Sequence, residues 1–144
     1  MFRNTVILVV LLASGCGASV ETAQEILRPV EAAWRVAAEG EQEAVVEGYL
    51  YASQTFLFED EAAISRFDTM KGIVFSDERP NGLMLQTLQT SICNRERVIV
   101  IGRLRLLEGY RPAITEVRLV RHAATGETCF RDEHPVDYWG DGAS

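Results

Sequence analysis

Three cysteines, two histidines and a spread of arginines and tyrosines are the residues through which this chain could do chemistry. In an exported protein cysteines are used in pairs, so Cys16, Cys93 and Cys129 leave one over. With Cys16 set aside, Cys93 and Cys129 remain as a pair. An oxidising compartment would join them as a disulfide worth roughly 3–4 kcal/mol in the loop-closure model; otherwise they are two buried thiols. Neither His122 nor His134 stands in a metal-ligand spacing with a second histidine or a free cysteine. There is no G-x-S-x-G elbow and no glycine-rich phosphate loop, since Gly102 and Gly109 fall in a predicted strand and a predicted hairpin. Glu59-Asp60-Glu61 is acidic but lacks the glycine and the spacing of a calcium loop, so it reads as a solvated turn. The sequence therefore predicts no catalytic residues, no metal and no cofactor, and a non-enzymatic role.

The cysteine left over has its own context. Met1-Phe2-Arg3-Asn4-Thr5 carries one positive charge, and residues 6–13 are apolar throughout. A membrane span needs roughly 20 apolar residues to cross about 30 Å of hydrocarbon. This run is too short, and its flanks are those of a cleaved export signal. Leu12-Ala13-Ser14-Gly15-Cys16 resembles the bacterial lipobox, with Ala13 where that motif most often has leucine. The resemblance implies removal of residues 1–15 and a thioether-linked diacylglycerol on Cys16, with the new amino group acylated by a chain such as palmitate. Several acyl chains anchor stably where one would be marginal, because each buried methylene adds about 0.8 kcal/mol. Gly17, in place of an aspartate, implies the outer membrane facing the periplasm if the cell is Gram-negative. A plain secretory signal cleaved near Ala13 or Gly15 would leave Cys16 an ordinary thiol.

Composition sets the remaining bounds. The chain has 144 residues and a net charge of −7, enough for one domain with a normal core. An acidic chain has no general electrostatic pull on nucleic acid or anionic lipid, so nucleic acid is not an expected partner and attachment to the membrane falls to lipid on Cys16.

Residues 16–19 make a very short tether. Over residues 20–40, Val20, Ala23, Ile26, Leu27, Val30, Ala33, Trp34 and Ala37 recur at helical spacing and predict an amphipathic helix, kinked at Pro29 or divided there into two short helices, and stopped by Gly40. Its apolar stripe packs on the rest of the domain in this reading; docking on a partner or lying on the membrane is the other reading, and a glutamate-rich polar face argues against the membrane. From residue 43 the period changes to two. Val46, Gly48, Leu50 and Ala52 share one face, while Val45, Glu47, Tyr49 and Tyr51 share the other, with Gly48 marking a bulge or sharp coil. Further strands are predicted at 55–58, 72–76, 97–107 and 114–121, with Ile64 and Phe67 pointing inward from an irregular connection and a short helix from residue 83 to about 94. The chain from His122 onward is expected to be pinned only around Cys129, with residues 131–144 a polar tail.

Strand, strand, strand, short helix, strand, strand is an element order that resembles the OB-fold, a five-stranded barrel with a helix between strands three and four. The expected fold is thus mainly β with α: a small OB-like barrel over residues 41–130, preceded by the N-terminal helix. In that topology Cys129 returns toward Cys93. OB-folds often bind oligonucleotides or oligosaccharides on one strand face, and by that resemblance Tyr49, Tyr51, Arg103, Arg105, Tyr110 and Arg111 form the candidate surface. Tyrosines with arginines suit flat or anionic ligands, although outward-facing barrel residues paired with glutamates explain the same pattern. For a lipid-anchored envelope protein the expected role is a non-catalytic interaction or assembly module using the first helix or a barrel edge, since the acidic surface and short tether say little about a pocket; the alternative is a binding module for a small or polymeric envelope ligand, with an envelope hydrolase behind both.

Overall fold

The computed structural model describes residues 6–10, 22–79, 82–108 and 110–132. Cys16 and the lipobox-like run before it, the predicted tether 16–19, His134 and residues 133–144 of the predicted tail lie outside the described residues. The elements in chain order are β1 (Val6–Val10), β2 (Thr22–Leu27), α1 (Pro29–Glu39), β3 (Gln42–Tyr51), β4 (Phe56–Phe58), α2 (Glu61–Arg66), β5 (Gly72–Phe75), α3 (Leu83–Gln89), β6 (Arg97–Leu107), β7 (Arg111–His122) and β8 (Thr128–Arg131).

Strands β3, β4, β5, β7 and β6 lie side by side in that order, and β3 pairs again with β6 to close the barrel. The pairing of β5 with β7 is parallel, with Val74 opposite Ala113 and Phe75 opposite Ile114; the other four barrel pairings are antiparallel. Counted within the barrel, the order is one-two-three-five-four and back to one, with α3 between strands three and four. This is the predicted OB-like barrel. Outside it, β2 pairs with β3, β1 pairs with β2, and β8 pairs with β7.

Period-two patterning determines which side chains fill the barrel. Val46, Gly48 and Leu50 of β3 face the interior, as do Val98, Val100, Gly102 and Leu104 of β6, all buried. Two glycines let other backbone come close. A Cβ on Gly48 would sit 2.6 Å from Pro29 Cγ and 2.8 Å from the Phe58 carbonyl oxygen. A Cβ on Gly102 would sit 2.7 Å from the Thr115 carbonyl oxygen, where the β6–β7 register shifts. The sharp bend of β7 there puts Glu116 in the left-handed region, and Thr115, fully buried, satisfies its hydroxyl by donating to the Arg103 carbonyl at 3.2 Å.

The N-terminal helix is shorter than the spacing predicts. Residues 22–27 form β2, and α1 begins at Pro29 without a kink. A proline disfavours helical backbone in the residue before it, and Arg28 is accordingly extended at φ −87° and ψ 158°. Pro29 itself occupies the first helical turn, where its missing N–H costs nothing. Glu59 completes the start from another part of the chain: its carboxylate accepts the Val30 N–H at 3.0 Å and pairs with Arg28 at 3.4 Å. The buried face of α1 is Pro29, Ala32 and Val36, not the predicted stripe through Ala33, Trp34 and Ala37. Ala32 and Val36 join the barrel core.

Residues 123–132 are also more ordered than predicted. They turn back as β8, held to the barrel by a buried ionic group. Arg79, 5% exposed, donates to Asp132 at 2.8 Å and to the Val117 carbonyl, and its guanidinium lies 4.5 Å from the centre of the Phe130 ring. Asp77, 3.8 Å from Arg79, also accepts the Leu85 N–H at 3.1 Å and so caps α3. Breaking a buried ionic group by removing one member is strongly destabilising because the rest stays buried and uncompensated. Arg79→Met is therefore expected to lower unfolding stability by about 3–5 kcal/mol in urea titration; a midpoint equal to the parent's would contradict this role.

Candidate functional site

The turn that joins α3 to β6 is stitched to the end of β3. Arg95 N–H donates to the Leu50 carbonyl at 2.7 Å, Leu50 N–H to the Glu96 carbonyl at 3.1 Å, and Ala52 N–H to Asn94 Oδ1 at 3.2 Å. Two residues before Arg95, Cys93 is bonded to Cys129 of β8, with the Cα atoms 6.3 Å apart. The predicted disulfide is thus present, at the predicted place where the chain returns to the end of the α3 connection.

Held by this turn, Arg95 reaches Tyr51. Its Nη2 donates to the Tyr51 hydroxyl at 2.8 Å, and its guanidinium lies 4.7 Å from the centre of the Tyr51 ring. The pair forms one wall of an open cleft of about 610 Å³, whose other lining residues are Gln54, Ile64, Ser65 and Phe67. Ile64 and Phe67 were predicted to point inward; the structure puts them at this surface, with Phe67 46% exposed. Asp60 explains the difference. Its carboxylate accepts the Ala63 N–H at 2.8 Å and caps α2, which gives the predicted irregular connection a helical turn and makes Ala63 the buried residue. Asp60 and Glu59 thus both act as structural caps. Phe67 closes α2 in the left-handed conformation and sets its ring edge-on to Phe56 and Phe58 at 6.0 and 5.9 Å.

Backbone strain gathers here. Among the described residues, Thr55, Phe67, Arg95, Glu108 and Glu116 are the non-glycine residues with positive φ. Phe67 and Arg95 line the cleft, and Thr55 follows Gln54. Such conformations cost of order 1–3 kcal/mol each and persist where the surroundings over-determine them, a pattern that marks binding and active sites.

The six predicted surface residues are divided by the fold. Tyr51 lines the cleft, and Tyr49 is half-buried two residues back on the same face of β3, opposite Arg97. Arg103 lies opposite Glu43, six residues further along β6, which is about 20 Å from the tyrosines at the rise of a strand. It is also occupied. Glu41 accepts from Arg103 Nε at 2.6 Å, a hydrogen bond that holds the Glu41 carboxyl below its usual range and raises the arginine. Arg105 pairs with Glu78 at 3.6 Å, while Arg111 and the 70%-exposed Tyr110 lie at the β6–β7 hairpin. In contrast, Arg95 has no carboxylate within 4 Å among the described residues. Sequence reading passed over Arg95 because it fell between a predicted helix and a predicted strand; the signal available was its place two residues after a cysteine whose bond would fix the turn.

The lining combines a guanidinium, a phenol, an amide and a hydroxyl with the apolar surface of Ile64 and Phe67. It can stack a flat ring or sugar face and hydrogen-bond an anionic or hydroxyl group; among the described residues it holds no nucleophile paired with a base. Among the described residues no cluster of three histidines, cysteines or carboxylates could hold a metal ion, and His122 Nδ1 accepts the Ala124 and Thr125 N–H groups at 3.2 Å within its own turn. Also among them, no helix is long and apolar enough to cross a membrane. Comparisons with protein-family models, curated proteins and solved structures return no match to this chain.

The disulfide is the part of this site most open to test. Replacing both Cys93 and Cys129 with serine is expected to cost about 3–4 kcal/mol of stability. It should also speed hydrogen exchange at the Arg95 amide more than at Val100 in the middle of β6. Unchanged exchange at Arg95 would show that the bond does not hold the turn.

Proposed function

We propose that this chain is a lipid-anchored, non-catalytic binding module of the cell envelope, tethered through Cys16, that takes a small or polymeric envelope ligand in the Tyr51–Arg95 cleft. The observation that carries this reading is an arginine with no carboxylate partner among the described residues, stacked on a tyrosine, in a cleft whose lining includes two strained residues. A guanidinium so placed suits a carboxylate or phosphate, with the aromatic wall receiving the rest of the ligand. The open shape suits a segment of polymer better than an enclosed small molecule. Fold likeness to OB domains supports the reading only by analogy.

An assembly role carried by the first helix has less support, because Pro29, Ala32 and Val36 are buried and Ala32 and Val36 belong to the core. The anchor reading rests on the residues before Cys16. It accords with a barrel that closes without β1 or β2: cleavage before Cys16 would take β1 from the edge of β2 and leave the closed barrel whole. The outer membrane, facing the periplasm, is the location that Gly17 favours in a Gram-negative cell.

Two variants test the two halves separately. Cys16→Ser is expected to move the protein from the membrane to the soluble fraction without changing its fold by circular dichroism; retention on the membrane would refute the anchor. Arg95→Gln in the full lipidated protein is expected to weaken capture of carboxylate-bearing envelope glycan fragments by at least tenfold, the loss of about 1.4 kcal/mol or more of charge-assisted hydrogen bonding. Capture by the parent protein that Arg95→Gln leaves unaltered would refute the cleft.

A further inference from the structure

The predicted apolar stripe of the N-terminal helix is only partly used by the fold. With Pro29, Ala32 and Val36 inward, Val30, Trp34, Ala37 and Ala38 fall within a sector of about 100° on the outward side at the helical period. Trp34 is 73% exposed, Ala37 and Ala38 are exposed and Val30 is partly so. None of the four carries a charge. The charged residues of α1 follow round one side: Glu31 borders Ala38 at the edge of this sector, and beyond it Arg35 grips Glu25 of β2 through two hydrogen bonds of 2.8 and 3.2 Å and lies 3.9 Å from Glu39. Beside α1, the turn Thr69–Lys71 packs against the helix and presents Met70, 86% exposed.

We propose that this outward face of α1, centred on Trp34, lies against the bilayer surface beside the lipid on Cys16. The proposal rests on the anchor reading above and adds an orientation to it. The length of the tether selects the bilayer as occupant. Residues 17–21 separate Cys16 from β2, so β2 begins within about 20 Å of the lipidated residue even with the chain extended. The Arg35–Glu25 pair holds the Trp34 turn of α1 to that same strand. An indole with an apolar body and a polar N–H suits the headgroup boundary, where tryptophan is enriched. A patch of four side chains is small against the roughly 800 Å² per partner of a stable protein interface. It is enough to orient a domain whose attachment the acyl chains already provide. Of the glutamates that argued against a membrane-lying helix, Glu39 lies on the far side of Arg35, while Glu31 borders this face about 60° from Trp34, where its carboxylate stays in the water beside the headgroups.

The chain has two tryptophans, and Trp139→Phe leaves Trp34 as the single reporter. The lipidated full chain carrying this change would be reconstituted into vesicles of phosphatidylethanolamine and phosphatidylglycerol, with ordinary or brominated acyl chains. Trp34 emission is expected to shift to the blue on reconstitution and to fall roughly two-fold with brominated chains, as for a ring seated about 5–10 Å into the headgroup–acyl boundary. Equal emission in both vesicle types, from protein that floats with the vesicles and carries lipid by mass spectrometry, would overturn the orientation and leave the anchor standing. Protein that carries no lipid and does not float would overturn the anchor and the orientation together.

Discussion

The Cys93–Cys129 bond fixes a corner on which several separate features depend. It joins the turn after α3 to β8, and that turn carries Arg95 and laces the start of β6 to the end of β3. Without the bond, a short strand at the barrel's margin and a strained arginine would each rely on a few hydrogen bonds. With it, the cost of the left-handed Arg95 backbone is met by a cross-link that limits the unfolded chain more than the folded one. Arg79 reinforces the same corner from inside, binding Asp132 and Phe130 at the end of β8 while Asp77 caps α3. A hydrophobic core of ordinary size then needs only to fill the barrel.

The barrel was legible because its signals are local and repeated. Alternation through β3 and β6 assigned the inward faces correctly, and the count and order of elements pointed to the OB-like topology before any pairing was known. The disulfide was legible for a different reason, since removing Cys16 from the count leaves a single possible pair. What the sequence hid lies where a local pattern has two physical outcomes. Ile26 and Leu27 satisfy both a helical and a strand pattern, and Pro29 decides between them through its effect on Arg28. Asp60 looks like part of a solvated acidic run until its position three residues before Ala63 is seen as a helix cap.

The candidate site was legible only in part. Tyr51 could be placed on an outward face, but the partner that gives it meaning, Arg95, comes from a turn 44 residues away in the chain. Arg103 and Arg105 have the right chemistry and the wrong neighbours, because the register of β3, β6 and β7 brings Glu41 and Glu116 to Arg103, while the loop after β5 brings Glu78 to Arg105. Periodicity tells which face a residue occupies, not which charges stand opposite it. The same register separates the tyrosines from these arginines along the barrel, so a surface that looks continuous in sequence is two surfaces in the fold.

The proposed function stands on ligand contact at the Tyr51–Arg95 cleft and not at the hairpin end with Tyr110. A photo-reactive residue placed at Gln54, and in a separate strain at Tyr110, tests this in intact cells. Light is expected to capture an envelope component at Gln54, the Arg95→Gln background to abolish the product, and position 110 to give none. Capture at position 110 with none at position 54 would contradict contact at the cleft.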